Sequence, residues 1–216
     1  MRMSPLALTG PLLLALGAVA VPAQPPPAAP AGAAGGATVV RPAGPRVEFE
    51  NGAMPAVEKE LLTRYATTVT RWAMVQRIVQ AVQAQDAKAM PPERIQQIDL
   101  AWQRGEDPEG LATALAKNDC AQVLQTLLSS NPGYGDAFVA DDRGALVCMS
   151  ERTSGYWHGD EAKWSRAYAE GAGAIFVSQG EHDESTGLDL VRISVPVRAA
   201  GRVIGVLIVG RIVSPR

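Results

Sequence analysis

One stretch decides the fold of this chain: Thr153-Ser154-Gly155-Tyr156-Trp157-His158-Gly159-Asp160-Glu161-Ala162-Lys163-Trp164. It combines aromatic rings, an imidazole, carboxylates and an ammonium group. The Ser-Gly pair favours a turn, and Asp160 is well placed to cap a helix that carries Lys163, Trp164 and Tyr168. We therefore expect aromatic side chains of the loop to face those of the helix across a small space. Such rings either fill a core beneath a long connection or line a ligand pocket, and the pattern leaves both interpretations open.

The N-terminus has the pattern of a secretory signal peptide. Arg2 precedes an apolar run from Leu6 to Val21, and small residues at Val21 and Ala23 suit cleavage after Ala23. The run is shorter than the roughly 20 residues of a spanning helix, which disfavours the alternative of an uncleaved anchor. We expect an exported protein, periplasmic or secreted, with no membrane span in the mature chain.

Composition divides the chain into a signal peptide at 1–23, a linker at 24–52 and one folded domain at 53–214. The linker is rich in Pro, Ala and Gly and has few side chains that build a core, so we expect it to be disordered. The remaining length suits a single domain. The 20 basic and 22 acidic side chains form no Lys/Arg run, which argues against a nucleic-acid binder.

Helical periodicity dominates the first half of the domain. Apolar residues recur every three or four positions from Pro55 to Lys88, which predicts one long amphipathic helix. Pro91-Pro92 ends it, and a short helix follows, with Gly105 beyond its end. A third helix is predicted from residue 107 to 128, with a break near Asn118-Asp119.

The pattern changes to strands from residue 137. Residues 137–140 and 145–149 flank a turn and predict a hairpin. Further strands are predicted at 174–178, at 191–197, where alternation suggests a half-buried strand, and at 203–213, which is apolar on both faces and therefore central. The sequence predicts an α+β fold, with a long N-terminal helix and a helical segment packed on a five-stranded antiparallel sheet.

The two cysteines permit two interpretations. In an oxidising compartment Cys120 and Cys148 can form one disulfide. They can equally be two small buried hydrophobic side chains on a helix and a strand, and this second interpretation is favoured.

The order of the elements resembles the extracellular Cache sensor domains, which have a PAS-like sheet behind a long N-terminal helix and occur in ligand-sensing regions of bacterial receptors. The resemblance covers residues 55–213. Besides the stretch from Thr153 to Trp164, it is carried by residues 136–144, 171–177, 183–185, 193–197 and 201–210. Stand-alone exported proteins that look like this chain form a single-Cache subgroup.

In such domains a small carboxylate or amino acid lies on one face of the sheet, under the connection between its second and third strands. That connection is residues 150–173 in this chain. The resemblance implies no cofactor and these ligand-binding residues: Tyr156, Trp157, His158, Lys163, Trp164 and Tyr168, with Asp183 and Arg192 as polar anchors. Solvent-facing positions are the alternative for Lys163 and Arg192. The subgroup usually carries an acid where Gly155 stands and an amide where His158 stands. The contact that these residues make to a ligand amine is therefore either absent from this chain or made by another residue.

We predict a non-enzymatic, exported ligand-sensing domain that reports to a separate, membrane-bound signalling protein, because the chain carries no kinase, methyl-accepting or cyclase region. Two alternatives remain. His158, Asp160 and His182 offer ligands to a divalent metal in an enzyme, although their spacing matches no zinc signature. In a dimeric interaction module, the N-terminal helix pairs with its copy.

Overall fold

The computed structural model describes residues 46–183 and 187–213. The predicted signal peptide and most of the predicted linker lie outside these residues. The side chains of Pro108, Asp183 and Leu188 also lie outside the description. No helix within the described ranges combines the length and the apolarity needed to cross a membrane.

Six α-helices are described: α1 Ala56–Trp72, α2 Gln76–Asp86, α3 Pro92–Gln103, α4 Leu111–Lys117, α5 Asp119–Ser129 and α6 Ala162–Tyr168. Proline and capping residues place α3 to α5 as the sequence predicts. Pro92 stands in the first turn of α3, where its missing N–H costs nothing. The Asn118 side chain accepts from the Ala121 backbone N–H at 2.9 Å, so it caps α5 at the predicted break.

The prediction of one long helix from Pro55 to Lys88 is wrong, because Ala73, Met74 and Val75 separate α1 from α2. Val75 has an extended backbone, with φ −63° and ψ 125°. The bend contains neither glycine nor proline, and the apolar spacing continues through it. Its cause is tertiary, since α1 packs mainly on the strand at 188–199, whereas α2 packs mainly on the strand at 134–141 and on α5.

Seven strands form one sheet: β1 Val47–Phe49, β2 Tyr134–Asp141, β3 Leu146–Met149, β4 Ile175–Val177, β5 Glu181–Asp183, β6 Leu188–Ala199 and β7 Arg202–Ile212. Their order is β1-β4-β6-β7-β2-β3, with β5 beside β6. All pairs are antiparallel except β1 with β4. The α+β fold class is confirmed, and β7 is central as predicted.

The sheet has two more strands than the five predicted. β1 falls at the end of the predicted linker, and β5 falls in a segment predicted as a polar turn. Both have three residues, too few to show a strand period. They are positioned by partners instead: Glu48 of β1 forms an ion pair with Arg166 of α6, and β5 pairs along the start of β6.

Both faces of the sheet are covered. One core lies between the sheet and α1, α2 and α5. The other lies between the sheet and α3, α4, α6 and the connection after β3. β6 is therefore buried on both faces, and its prediction as a half-buried strand is wrong. Arg192 and Ser194 alternate with valines and isoleucine along β6, yet both are buried.

Cys120 of α5 and Cys148 of β3 form a disulfide. The interpretation that the sequence favours, two separate buried thiols, is therefore wrong. Both residues are fully buried in the first core, so their apolar surroundings fit either state. The bridge ties the helical layer to the sheet across a sequence separation of 28 residues.

Candidate ligand site under the connection

The connection between β3 and β4 lies directly on the turn between β2 and β3. The His158 backbone N–H donates to the Gly144 carbonyl at 2.8 Å, and the Leu146 N–H donates to the Tyr156 carbonyl at 3.0 Å. Gly144 has φ +84°, and a Cβ on it would overlap the backbone of Gly159. The two glycines thus allow a close backbone approach that no larger residue permits.

Tyr156 and Trp157 fix this connection in place. Their backbone N–H groups donate to the same Asp99 carboxylate oxygen, at 2.8 and 3.0 Å. The Trp157 indole N–H donates to the Arg143 carbonyl at 2.7 Å, and the Tyr156 ring packs on that of Trp102. Burial raises the pKa of Tyr156 to about 12. These contacts give Tyr156 and Trp157, both predicted as pocket residues, a structural role. The sequence alone does not distinguish this role from ligand binding.

Trp164 and Tyr168 form one wall beside the connection. Their rings stack with centroids 4.7 Å apart, and the Trp164 indole N–H donates to the Asp141 carbonyl at 3.1 Å. Tyr168 faces the three carboxylates of Asp86, Asp141 and Asp142, which we call the acidic corner. Burial, followed by these negative charges, raises the pKa of Tyr168.

The acidic corner joins the end of α2 to the β2–β3 turn. Asp141 holds the turn by accepting from the backbone N–H groups of Arg143 and Ala145, each at 2.9 Å. Burial and the charges of Asp142 and Asp141 raise the pKa of Asp86 to about 7, against the lowering effects of the Asp142 backbone N–H and of Arg143. One carboxylate oxygen of Asp86 is buried without a hydrogen-bond partner in the part of the chain that the structure describes.

Three side chains at the start of α6 form a second group. His158 is 1% exposed, and its Nδ1 lies 2.6 Å from Glu161 Oε1. Glu161 Oε2 lies 2.5 Å from Lys163 Nζ. The His158 ring lies 4.6 Å from the Phe138 ring, between centroids, and Lys163 Nζ lies 5.8 Å from the Phe138 centroid. Burial alone would raise the pKa of Glu161, but the hydrogen bond and charge of His158 and the charge of Lys163 lower it to about 2.

This geometry corrects two predictions. α6 begins at Ala162, with Glu161 rather than Asp160 at the N-cap position and no side-chain capping bond, so the predicted capping role of Asp160 is wrong. The Lys163 side chain is only 18% exposed, so the alternative of a solvated helix face does not hold. The carboxylate of Glu161 draws Lys163 inward over Phe138, and the spacing of the sequence does not reveal this pairing.

The sheet face that α6 covers carries a polar strip, which consists of Asp136, Arg192 and Ser194. Arg192 Nη1 lies 2.5 and 2.6 Å from the two carboxylate oxygens of Asp136, and both side chains are less than 10% exposed. They lie on strands either side of β7 and meet above Gly210, where a Cβ would overlap both. The outward position considered for Arg192 is therefore wrong.

The strip adjoins the His158 group. Phe138 is the cross-strand partner of Ile208, and Ile208 is the partner of Ser194, so these side chains share one row on the same face. Asp136 lies on this face as well, because its carboxylate would overlap a Cβ on Gly210, the cross-strand partner of Arg192. His158 and Lys163 lie against Phe138, and Arg192 lies two residues from Ser194 on β6, so that its side chain is on the same face of the sheet.

Sequence reasoning missed Asp136, Glu161 and Ser194. The period of two along β2, with Asp136, Phe138 and Ala140 on one face, was the available signal for Asp136. Asp183, a predicted polar anchor, pairs with Leu188 at the end of β5 that lies farther from Arg192, and its side chain lies outside the described residues. Glu181, at the other end of β5, lies 3.8 Å from Arg192 Nε.

The metal-enzyme alternative finds no support in the geometry. His182 is exposed and its Nδ1 lies 2.9 Å from Asp189 on the adjacent strand, whereas His158 is buried under the connection. Within residues 46–183 and 187–213, no group of three or more His, Cys, Asp or Glu side chains is placed to hold a metal ion.

A groove of about 590 Å³ lies on the other face of the sheet. It runs between the α1–α2 bend and the ends of β4 and β6, and its lining includes Met74, Val79, Ile175, Pro196 and Arg198. None of the predicted ligand-binding residues lines it.

No protein-family profile matches the sequence, and no curated protein matches it. Several solved structures are similar to it. The ligand-binding domain of the Pseudomonas aeruginosa amino acid chemoreceptor PctC, in complex with GABA, is 26% identical over 52% of this chain and 57% of that chain, with a TM-score of 0.34. The ligand-binding domain of a Campylobacter jejuni chemoreceptor, in complex with 4-methylisoleucine, is 13% identical over 74% of this chain and 63% of that chain, with a TM-score of 0.37.

The sensor domain of the Vibrio cholerae histidine kinase DctB is 16% identical over 73% of this chain and 58% of that chain, with a TM-score of 0.36. The matched structures are thus sensor domains of the kind that the sequence resembles. The chain spans less than two thirds of the length of each of these three. Since the TM-scores are below 0.5, the fold description rests on the strand order of this chain itself.

Proposed function

We propose that this chain is an exported ligand-sensing domain without catalytic activity. Its site consists of the polar strip together with His158, Glu161 and Lys163. The observation that carries this proposal is that His158 Nε2 and Ser194 Oγ are both buried without a hydrogen-bond partner among the described residues. A buried polar atom left unpaired costs about 1 to 3 kcal/mol, and two such atoms beside buried ion pairs favour a site that a polar ligand completes.

The charges of the site favour a small zwitterion, such as an amino acid, over a dicarboxylate. The site contains two pairs of opposite charge, Asp136 with Arg192 and Glu161 with Lys163. A zwitterion meets a cationic and an anionic partner, whereas a dicarboxylate brings two negative charges to a site whose cations are already paired. Phe138 offers an apolar surface to the remainder of the ligand.

Export and partnership belong to the same proposal. The Cys120–Cys148 disulfide is the state expected in an oxidising compartment, which supports a periplasmic or secreted location, and we propose cleavage after Ala23 from the signal-peptide pattern. The domain would report ligand binding to a separate, membrane-bound signalling protein.

Val57 and Leu61, one turn apart on α1, are 76% and 47% exposed. We propose that this exposed apolar face forms a homodimer, and sedimentation velocity tests it directly.

The test is a thermal-shift screen of the purified protein against the twenty L-amino acids, GABA, succinate, malate and divalent metal ions. A ligand at 100 times its Kd should stabilise the fold by about 2.7 kcal/mol. We expect a shift with at least one zwitterion, and we expect Lys163→Met to remove it.

Lys117→Met is the matched control, because Lys117 is an exposed lysine on α4. A shift with metal ions alone would restore the enzyme hypothesis. A shift with a zwitterion that Lys163→Met leaves unchanged would place the site elsewhere.

A further inference from the structure

We propose that the groove beside the α1–α2 bend is a second binding site, whose ligand is a small organic anion with an apolar tail. The acid group of the ligand pairs with Arg198, and the tail lies along Met74, Val79 and Ile175, which line the groove. This inference goes beyond the proposed function and does not rest on it, because the groove contains none of the residues of the first site.

The groove has the size and the surface of a small-molecule site. Its volume of about 590 Å³ is within the roughly 300 to 1,000 Å³ of such sites. Its apolar lining comes from the bend with Met74, from α2 with Val79, and from the sheet with Ile175 and Pro196. Ala73 and Ile175 belong to the core between the sheet and α1, α2 and α5, so the groove opens on the face of the sheet that α6 does not cover.

Met74 gives the groove an adaptable wall. Its side chain is 73% exposed, whereas Ala73 beside it is buried, and Val75 packs on the first core. The bend therefore turns Met74 outward between two residues that face the interior. An unbranched thioether side chain adjusts its rotamers to different apolar surfaces. An exposed side chain of this kind at the rim of an apolar groove indicates a binding surface.

The charge of the groove comes from Arg198. In the part of the chain that the structure describes, it is the only charged residue in the lining. Its guanidinium donates to the carbonyls of Ala172, Gly173 and Gly201, at 2.8, 3.4 and 3.4 Å. Within residues 46–183 and 187–213 no carboxylate forms an ion pair with it. Since a guanidinium has five N–H donors, Arg198 retains donors for charge-assisted hydrogen bonds to a carboxylate.

Gly173 fixes the position of Arg198. It has φ +74°, and a Cβ on it would overlap Arg198 Nη2 and the Val203 side chain. The glycine therefore lets the guanidinium pack against the backbone just before β4. An arginine held in this way presents its charge at a defined place and loses less side-chain entropy when a ligand binds.

The charge also decides between an external anion and the linker of the chain itself. The Ile175 N–H donates to the Arg46 carbonyl at 3.4 Å, so the segment before Arg46 joins the described chain next to the groove. Residues 24–45 contain Arg41 as their only charged side chain. Arg41 would bring a second positive charge to Arg198 rather than a partner, whereas an anion complements it.

The apolar tail should contribute most of the affinity. Arg198 is exposed, and an ion pair at an exposed arginine changes Kd by at most about fivefold. Each methylene that leaves water for the groove should tighten binding roughly three- to fourfold. The expected ligand is therefore an amphipathic monocarboxylate and not a small hydrophilic anion such as acetate.

The test is calorimetric titration of the full-length protein with hexanoate, octanoate, 1-octanol and octylamine. We expect octanoate to bind roughly tenfold more tightly than hexanoate, because it buries two more methylenes. It should bind about three- to fivefold more tightly than 1-octanol, which lacks the charge. Octylamine should bind more weakly than 1-octanol, because Arg198 repels its ammonium group.

Two variants at exposed positions locate the site. Arg198→Met should remove the preference for octanoate over 1-octanol, and Met74→Gln should weaken the binding of both. Arg202→Met is the matched control, because Arg202 is an exposed arginine of the same hairpin that does not line the groove. Lys163→Met should leave octanoate binding unchanged, since Lys163 belongs to the first site.

Several results would overturn the inference. They are equal affinity for the acid, the alcohol and the amine, octanoate binding that neither Arg198→Met nor Met74→Gln weakens, and no binding at about 5 mM octanoate. If serine at both Val39 and Val40 tightens octanoate binding, the linker occupies the groove instead. If octanoate dissociates a dimer in sedimentation velocity, a second copy of the chain occupies it. None of these results affects the proposed function, which is tested with zwitterions and Lys163→Met.

Discussion

Replacing Asp86 by asparagine should stabilise this protein at pH 8 and leave its stability unchanged at pH 4. Asp86 ends α2 and lies half-buried against the β2–β3 turn. One of its oxygens is buried without a partner among the described residues. Burial, with the charges of Asp142 and Asp141, raises its pKa from 3.8 to about 7. The folded state therefore favours a protonated Asp86.

The sign of the effect follows from proton linkage. Between pH 3.8 and about 7 the folded protein retains the Asp86 proton that the unfolded chain has released, so the free energy of unfolding falls as pH rises through this window. This difference between the folded and unfolded pKa of Asp86 corresponds to at most about 4 kcal/mol in the free energy of unfolding. Because the side chain is only half-buried, solvent screening reduces that contribution, and we expect a loss of about 1 to 2 kcal/mol at pH 8. Asparagine has the same shape without the charge and avoids the penalty.

The assay is urea denaturation of the wild type and Asp86→Asn at pH 4, 6 and 8, which yields the free energy of unfolding at each pH. The stabilisation by Asp86→Asn should be near zero at pH 4 and largest at pH 8. Asp160→Asn, which removes an exposed carboxylate, is the control and should show no such trend. A gain that does not depend on pH, or a loss at pH 8, would refute the reasoning.

Three further predictions concern the disulfide and the polar strip. Removing the Cys120–Cys148 bridge by a double serine substitution should lower the free energy of unfolding by about 3 to 4 kcal/mol, and urea denaturation with and without reductant measures it. Gly210→Ala should displace Asp136 and Arg192 and cost about 1 to 3 kcal/mol, visible as a lower Tm. Arg192→Met alone should lower the free energy of unfolding by about 3 to 5 kcal/mol, because it leaves the buried carboxylate of Asp136 unpaired. Adding Asp136→Leu should recover most of this loss. Equal stability of the single and double variants would contradict a buried pair.

The sequence predicts most elements of the fold where local chemistry marks their ends. Prolines define the start of α3, Asn118 separates α4 from α5, and the turn Asp141-Asp142-Arg143-Gly144 marks the β2–β3 hairpin. The bend between α1 and α2 carries no such mark, because α2 is redirected by its packing on the sheet and on α5. No sequence signal marks β1 either, since three residues after a Pro/Gly-rich segment become a strand only through pairing with β4.

The location of the candidate site follows from the resemblance, but the roles of its residues do not. Tyr156 and Trp157 are the most conspicuous side chains of the central stretch, yet their hydrogen bonds hold the connection to α3 and to the hairpin turn. Asp136 and Glu161 look like ordinary surface acids in sequence. Each belongs to the proposed site because a cation from a distant or nearby position is buried beside it, and that pairing depends on tertiary structure.

Alternation of polar and apolar residues along β6 predicts a face in water, and a buried polar site produces the same alternation. What distinguishes the two cases is the neighbouring strand. A solvent-exposed face gives no reason for a glycine at position 210 of the valine-rich β7, where glycine weakens the strand. A buried pair does give one, because Arg192 and Asp136 reach each other only across a residue without a Cβ. Gly210, whose cross-strand partner is Arg192 and whose other neighbouring strand carries Asp136, is therefore the sequence feature that indicates a buried polar pair inside this fold.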